Sequence, residues 1–384
     1  MRGTWVRAGA SAFAVAAIAV GAQTAQAANP KVIDPIGRYP NGVVDSNGTL
    51  HLVWRQSPAM GSERRVVYCP VARGMGNGCA TAPQTLPKPA GDPLPPSAPP
   101  FLYRSGTTMR VVQSGWSGGK TYAWTADANG VFGAPVLEAN GAATDGTYSP
   151  GVQEGNNLVT LHSAQVQGIT FGGGAFAGPP AELSTIGDES LDFTDLERVP
   201  GANGKYVAST VAGADQHGQI WVNATGAGPN TSANWSAPMS LGTPGKVEMA
   251  AGSLGLFAVT ATDGITTPLR VRRWTGSGFD AGVQLPGLID GINVFDIAQA
   301  GGRIYVVANS FIDGTNFGLA VWSSADGVNW TQPYLADQRN EPFNRLTIAV
   351  APDGQGFAMF QPGLGGVGTI VEDLTAMPTD PGPP

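Results

Sequence analysis

Short runs of β-branched, aromatic and other apolar residues recur seven times along this chain, each entered from a turn. The copies read TLHLVW from Thr49, TMRVVQ from Thr108, NLVTLH from Asn157, KYVAST from Lys205, LGLFAVT from Leu254, RIYVVANS from Arg303 and QGFAMFQ from Gln355. Their starts lie 59, 49, 48, 49, 49 and 52 residues apart. A spacing near 50 marks one supersecondary unit repeated along the chain, each copy burying its apolar face against the next.

Each unit divides into two hairpins. A strand precedes the quoted run, and turns such as Asp45-Ser46-Asn47-Gly48, Ala300-Gly301-Gly302 and Pro352-Asp353-Gly354 join the two. These residue types supply the positive φ angles and side-chain-to-backbone bonds that tight turns need. A second hairpin follows, as in YAWTADANGVFGAPVLE from Tyr122 or AVWSSADGVNWTQPYL from Ala320. Two hairpins make four strands. The last unit is one strand short after Gly368–Leu374, and the segment Pro30–Pro35 resembles the missing outer strand. The pattern therefore predicts an all-β fold: a seven-bladed β-propeller of four-stranded antiparallel blades, its ring closed by the N-terminal strand joining the C-terminal blade.

Composition adds a compartment. Arg2 and Arg7, the apolar stretch 12–22 and Ala25-Gln26-Ala27 read as a secretory signal peptide over residues 1–27,. The expected organisation is that leader, one propeller domain over 28–377, and a disordered proline-rich tail over 378–384. A secreted, extracellular, monomeric protein without a membrane span follows. The chain carries 21 Lys+Arg against 28 Asp+Glu, net −7, and loss of Arg2 and Arg7 with the leader leaves −9. That balance repels phosphate backbones, so nucleic acid is excluded as a partner. Cys69 and Cys79 flank a glycine-rich turn in an exported chain and are expected to form a disulfide,.

Two segments carry a family resemblance. Ser324-Ala325-Asp326-Gly327-Val328-Asn329-Trp330 resembles the Asp-box (BNR) repeat of sialidase-like propellers, one residue short before its glycine and with Asn for the usual Thr. Arg38-Tyr39-Pro40, ahead of the first inner strand, is similar to that family's Arg-Ile-Pro, whose arginine helps clamp a carboxylate. The resemblance implies structural roles for Asp326 and Trp330 and a clamp role for Arg38. The remaining parts of a sialidase site do not follow. Arg270, Arg303 and Arg345 sit in no matching motif. Tyr148, Tyr206, Tyr305 and Tyr334 have no evident Glu partner, so no nucleophile and acid are set a few ångströms apart.

Candidate ligand residues lie where chains enter and leave the inner strands. Arg38, Tyr39, Tyr148, Asp192, Phe193, Asp195, Glu248, Asp296 and Arg345 stand at the entries. Arg55, Ser114, His162, Thr210, Thr260, Asn309 and Gln361 form a polar column at the exits, read as a solvated mouth. Trp116 could stack on a sugar. Asp188, Glu189, Asp192, Asp195 and Glu197 are the densest acidic group. Close carboxylates bind Ca²⁺ or act as an acid/base pair, but their spacing matches no calcium loop and reads as a solvated acidic loop. No cofactor or metal is otherwise expected. Arg38, Asp192 and Asp195 are the catalytic candidates if the protein is an enzyme. The favoured expectation is a non-catalytic propeller binding a glycan or protein ligand at its mouth. A sialidase-like glycoside hydrolase and a structural or adhesive surface module are the alternatives.

Overall fold

A computed structural model describes residues 31–56, 64–74, 78–92, 98–116, 120–139, 151–154, 157–162, 165–170, 181–182, 192–201, 206–212, 217–223, 231–244, 246–261, 268–287, 294–311, 317–339, 343–363 and 368–374. The expected leader and tail lie outside these residues. The described chain is all-β, with one short 3-10 turn at Ser232–Asn234. No helix among the described residues is long and apolar enough to cross a membrane.

The strands group into seven four-stranded antiparallel sheets. The first is β2 (Gly37–Val44), β3 (Leu50–Gln56), β4 (Arg65–Val71) and β5 (Gln84–Thr85). The second is β6 (Phe101–Ser105), β7 (Thr108–Trp116), β8 (Lys120–Thr125) and β9 (Val136–Ala139). The third is β10 (Gly151–Glu154), β11 (Asn157–His162), β12 (Gln165–Thr170) and β13 (Ala181–Glu182). The fourth is β14 (Asp192–Arg198), β15 (Tyr206–Ala212), β16 (His217–Val222) and β17 (Met239–Pro244). The fifth is β18 (Val247–Gly252), β19 (Gly255–Thr260), β20 (Arg270–Arg273) and β21 (Val283–Gln284). The sixth is β22 (Phe295–Ala300), β23 (Arg303–Phe311), β24 (Phe317–Ser324) and β25 (Tyr334–Arg339). The seventh holds β26 (Phe343–Val350), β27 (Gly356–Pro362), β28 (Thr369–Asp373) and, as its outer strand, β1 (Lys31–Asp34). Lys31 faces Val371 and Val32 faces Ile370, so the chain's first described strand completes its last sheet.

The quoted apolar runs are the second strands, and their side chains pack between sheets rather than within one. Leu50, Leu52, Trp54 and Val67 of the first sheet share a core with Ala349, Phe357, Met359 and Val371 of the seventh. Phe257, Val259 and Val271 of the fifth share one with Ile304, Val306 and Trp322 of the sixth. The first strand of each sheet packs on that of the next, and β26 packs on β2. Trp54, Trp124, Trp221 and Trp322 are fully buried, each worth roughly 1.5–3 kcal/mol or more of apolar burial. Their indole N–H groups show how sheets are tied. Trp124 Nε1 donates to the Pro87 carbonyl (2.8 Å), beyond the end of the preceding sheet, and Trp322 Nε1 to that of Pro286 (3.0 Å).

Two glycines mark close approaches. A Cβ on Gly37 would collide with Thr369 of β28 and with Trp54, and the Gly37 carbonyl accepts the Gly368 N–H at 2.8 Å. Gly327 holds φ 78° with the Phe257 ring against it, a place only glycine fills without strain,. Around it, Asp326 Oδ1 accepts the Val328 and Asn329 N–H groups at 2.8 Å each. Trp330 is buried in the core shared by the fifth and sixth sheets. Cys69 and Cys79 are joined as a disulfide with Cα atoms 5.5 Å apart.

Candidate functional site

Three first strands carry a register shift near their start, β14 between Phe193 and Asp195 among them, and two of these lie side by side. β2 slips between Arg38 and Asn41 against β3, and β26 slips between Phe343 and Arg345 against β27. Such bulges re-aim side chains and recur beside functional sites. In β2 the slip puts Tyr39 at φ 56°, the one positive φ outside glycine among the described residues. The following Pro40 narrows its backbone freedom further. A bulky residue held there costs on the order of 1–3 kcal/mol, so the surroundings must impose it.

Those surroundings are cationic. Arg38 and Arg55 are register neighbours across β2 and β3. The Arg55 guanidinium lies 4.5 Å from the Tyr39 ring centroid, and that of Arg345 lies 5.0 Å from it. Gln361, the register partner of Arg345, accepts the Tyr39 N–H through Oε1 at 3.2 Å. Arg55 and Arg345 are thus brought by the first and seventh sheets onto one aromatic ring, with Arg38 across from Arg55. Burial pushes the Arg55 guanidinium below its ordinary value, and the charges of Arg64 and Arg38 push the same way. Arg345 falls to about 10, through burial first and then the charge of Arg55. The Arg38 Nε is buried without a hydrogen-bond partner among the described residues. Mutually repelling, partly desolvated guanidiniums are stabilised by an anion among them, and their planar forks suit a carboxylate or sulfate.

The acidic residues do different work. Asp195 does not lie in a solvated loop. It sits within β14, where Oδ1 accepts its neighbour's N–H from Leu196 (2.8 Å) and Oδ2 accepts the Met249 N–H of β18 (2.6 Å). Asp296 of β22 repeats the device, accepting from Ile297 (2.8 Å) and from Ile348 of β26 (2.9 Å). Asn41 of β2 does so with one oxygen, accepting the Leu102 N–H of β6 at 2.9 Å. Glu197, two residues along from Asp195, accepts from Ala251. These side chains therefore pin one sheet's first strand to the next. Although Asp195 and Asp296 keep some surface open, the protein around them removes most of their hydration. Burial lifts Asp195 to about 7, with the charge of Asp296 adding to it. Burial lifts Asp296 to about 6, against the pull of Lys246. Lys246 pairs with Glu248, and burial lowers its own value.

The remaining sequence candidates scatter. Four of the seven exit residues are buried rather than solvated, Arg55, Thr260, Asn309 and Gln361 all being at most 4% exposed. Gln361 answers an internal demand, its Oε1 accepting the Tyr39 N–H. Asn309 donates its backbone N–H to Val294 (2.9 Å) and keeps a buried Oδ1 with no partner among the described residues. Trp116, His162 and Asp192 fall on β7, β11 and β14, opposite Lys120, Gln165 and Val211, with side chains outside the description. Tyr148, Asp188 and Glu189 lie outside the described residues. No group of three or more His, Cys, Asp or Glu is arranged for a metal ion among the described residues. Lys246 escaped the sequence reading, and its one signal was its place just ahead of an inner strand.

No family model matches the chain, and no curated protein does. Solved structures with similar chain courses include an ulvan lyase of polysaccharide lyase family PL25 bound to -[GlcA(1-4)Rha3S]-, at 13% identity over 92% of this chain and 98% of that one, TM-score 0.49. An α-L-arabinanase of Penicillium chrysogenum complexed with arabinobiose is 13% identical over 90% of this chain and 96% of that one, TM-score 0.47. The intramolecular trans-sialidase of Ruminococcus gnavus, complexed with oseltamivir carboxylate, is 11% identical over 90% and 96%, TM-score 0.47. Similarity at this level assigns no activity to this chain.

Proposed function

We propose that the seven sheets are the blades of a closed β-propeller and that the protein is an extracellular, non-catalytic binder of an acidic glycan. The anionic group is received by Arg38, Arg55 and Arg345 at the mouth of the ring. The meeting of Arg55 and Arg345 on Tyr39, with Arg38 across from Arg55, carries the reading. Support for the ring comes from the core common to the first and seventh sheets and from β26 packing on β2. Support for an extracellular site comes from the disulfide and from the leader expected over residues 1–27,. Binding is favoured over hydrolysis because Asp195 and Asp296 commit both oxygens to backbone N–H groups.

Calorimetric titration with galacturonate, glucuronate and sialic acid oligosaccharides, beside neutral xylotriose, tests this reading. Acidic ligands alone should bind, and Arg345→Ala and Arg38→Ala should each weaken them by at least about tenfold, or about 1.4 kcal/mol. Equal binding of acidic and neutral sugars would sink it. Turnover of aryl sialosides or uronides abolished by Arg38→Ala would replace it with a glycosidase.

A further inference from the structure

We infer that Tyr39 is a positioning residue for the arginine cluster, acting through the guanidiniums rather than by stacking on a sugar. The inference rests on the anion-binding reading of Arg38, Arg55 and Arg345.

Position 39 has a left-handed backbone at φ 56°. For stability alone, glycine or asparagine is the favoured occupant of that region. A tyrosine there keeps a strained backbone in return for its ring. The ring is engaged already: Arg55 at 4.5 Å and Arg345 at 5.0 Å from its centroid use its electron-rich face,. The two arginines come from different sheets and repel one another, and the ring touches both. The backbone supplies the second tie. Tyr39 N–H donates to Gln361 Oε1, and Gln361 faces Arg345 across β26 and β27. Ring and amide together fix the spacing of a first-sheet guanidinium and a seventh-sheet guanidinium before any ligand arrives. Preorganisation of that kind raises affinity by lowering the ordering cost of binding.

Three variants separate this role from a structural one. Tyr39→Phe keeps the π face and removes only the hydroxyl that Arg55 hydrogen-bonds, Tyr39→Leu keeps bulk without the face, and Tyr39→Gly relaxes the backbone while removing the ring. With the tightest-binding acidic oligosaccharide of the panel as probe, Tyr39→Phe should bind within about threefold of the unmodified protein. Tyr39→Leu and Tyr39→Gly should lose at least tenfold, and Tyr39→Gly should do so with a Tm within a few degrees of the unmodified protein. Equal affinity of the Phe and Leu variants overturns the inference, as does loss of affinity in step with loss of Tm. Wild-type affinity in Tyr39→Gly while Arg345→Ala has lost binding overturns it and leaves the arginine reading standing. Wild-type affinity in Arg38→Ala and Arg345→Ala overturns the arginine reading itself.

Discussion

Arg73 holds Asp353 with both terminal nitrogens, Nη1 to Oδ2 at 2.6 Å and Nη2 to Oδ1 at 2.7 Å. The pair joins the hairpin after β4 in the first sheet to the turn between β26 and β27 in the seventh. Beside it, the Gly74 N–H donates to Asp373 Oδ2 at 3.0 Å. This fork-to-fork geometry is the favourable form of a surface ion pair. It drives the Asp353 carboxyl down to about 2. Arg73→Ala and Asp353→Ala should each lower Tm slightly, and the double variant should fall by less than the two combined. In 1 M NaCl the coupling should shrink. Additive effects at low salt would show that the clasp contributes nothing.

The same hairpin carries the disulfide, whose cysteines are 10 residues apart. Closing so short a loop restricts the unfolded chain by about 2–3 kcal/mol. Denaturant unfolding of Cys69→Ser/Cys79→Ser should show a loss of that size. Because Cys69, Val71 and Ile33 share a core with Phe357 and Val371, proteolysis of the double variant should begin near β1.

Asp34 anchors β1 to the first sheet. Its Oδ2 accepts Trp54 Nε1 at 2.6 Å and Gln56 Nε2 at 3.1 Å, and its Oδ1 accepts the Ile36 N–H at 2.9 Å. Asp34→Ala leaves a buried indole N–H unpaired, a loss of about 1–3 kcal/mol or more with three donors involved. Urea unfolding monitored by tryptophan fluorescence measures it.

Stability should fall as pH rises through the range set by Asp195 and Asp296. Their folded values, about 7 and about 6, lie above the ordinary 3.8. The folded state therefore binds more protons than the unfolded one between those limits, and unfolding free energy drops with rising pH until both are ionised. In the acid range the opposite holds for Asp326 and Asp353, each lowered to about 2: their contribution is lost below pH 4. Tm should be highest near pH 4–5.5 and lower at pH 8. In Asp195→Asn/Asp296→Asn the decline between pH 5 and 8 should flatten, and an unchanged slope would remove these residues from the account.

Much of the architecture was written in the pattern of turns and apolar runs. The seven runs became second strands, and the segment around Val32 became the outer strand of the last sheet. Arg38 stood out through Arg38-Tyr39-Pro40, but the meeting of its neighbour Tyr39 with Arg345 did not. That meeting depends on the first and seventh sheets lying together and on two register shifts, which no local motif encodes. Asp195 and Glu197 misled for a related reason. Acids at alternate positions suit a solvated edge, yet here they face N–H groups of β18 that only the neighbouring sheet supplies. Among the polar exit residues, Gln361 and Thr260 likewise serve an internal N–H and an internal carbonyl.

The pairing of Lys31 with Val371 has a consequence for how this molecule is made. These residues are about 340 positions apart, so β1, the first described strand to leave the ribosome, must wait for β28, the last, to find its neighbour. Closing a loop of that size carries a one-time entropic cost that grows only logarithmically with length, but it slows the final step. Until then β28 shows a bare edge and the first sheet lacks its Asp34 anchor. A circular permutant that fuses the ends and opens the chain between two sheets would pair β1 and β28 locally. It should reach the native state faster with little change in final stability, and stopped-flow refolding of the two forms would display the difference.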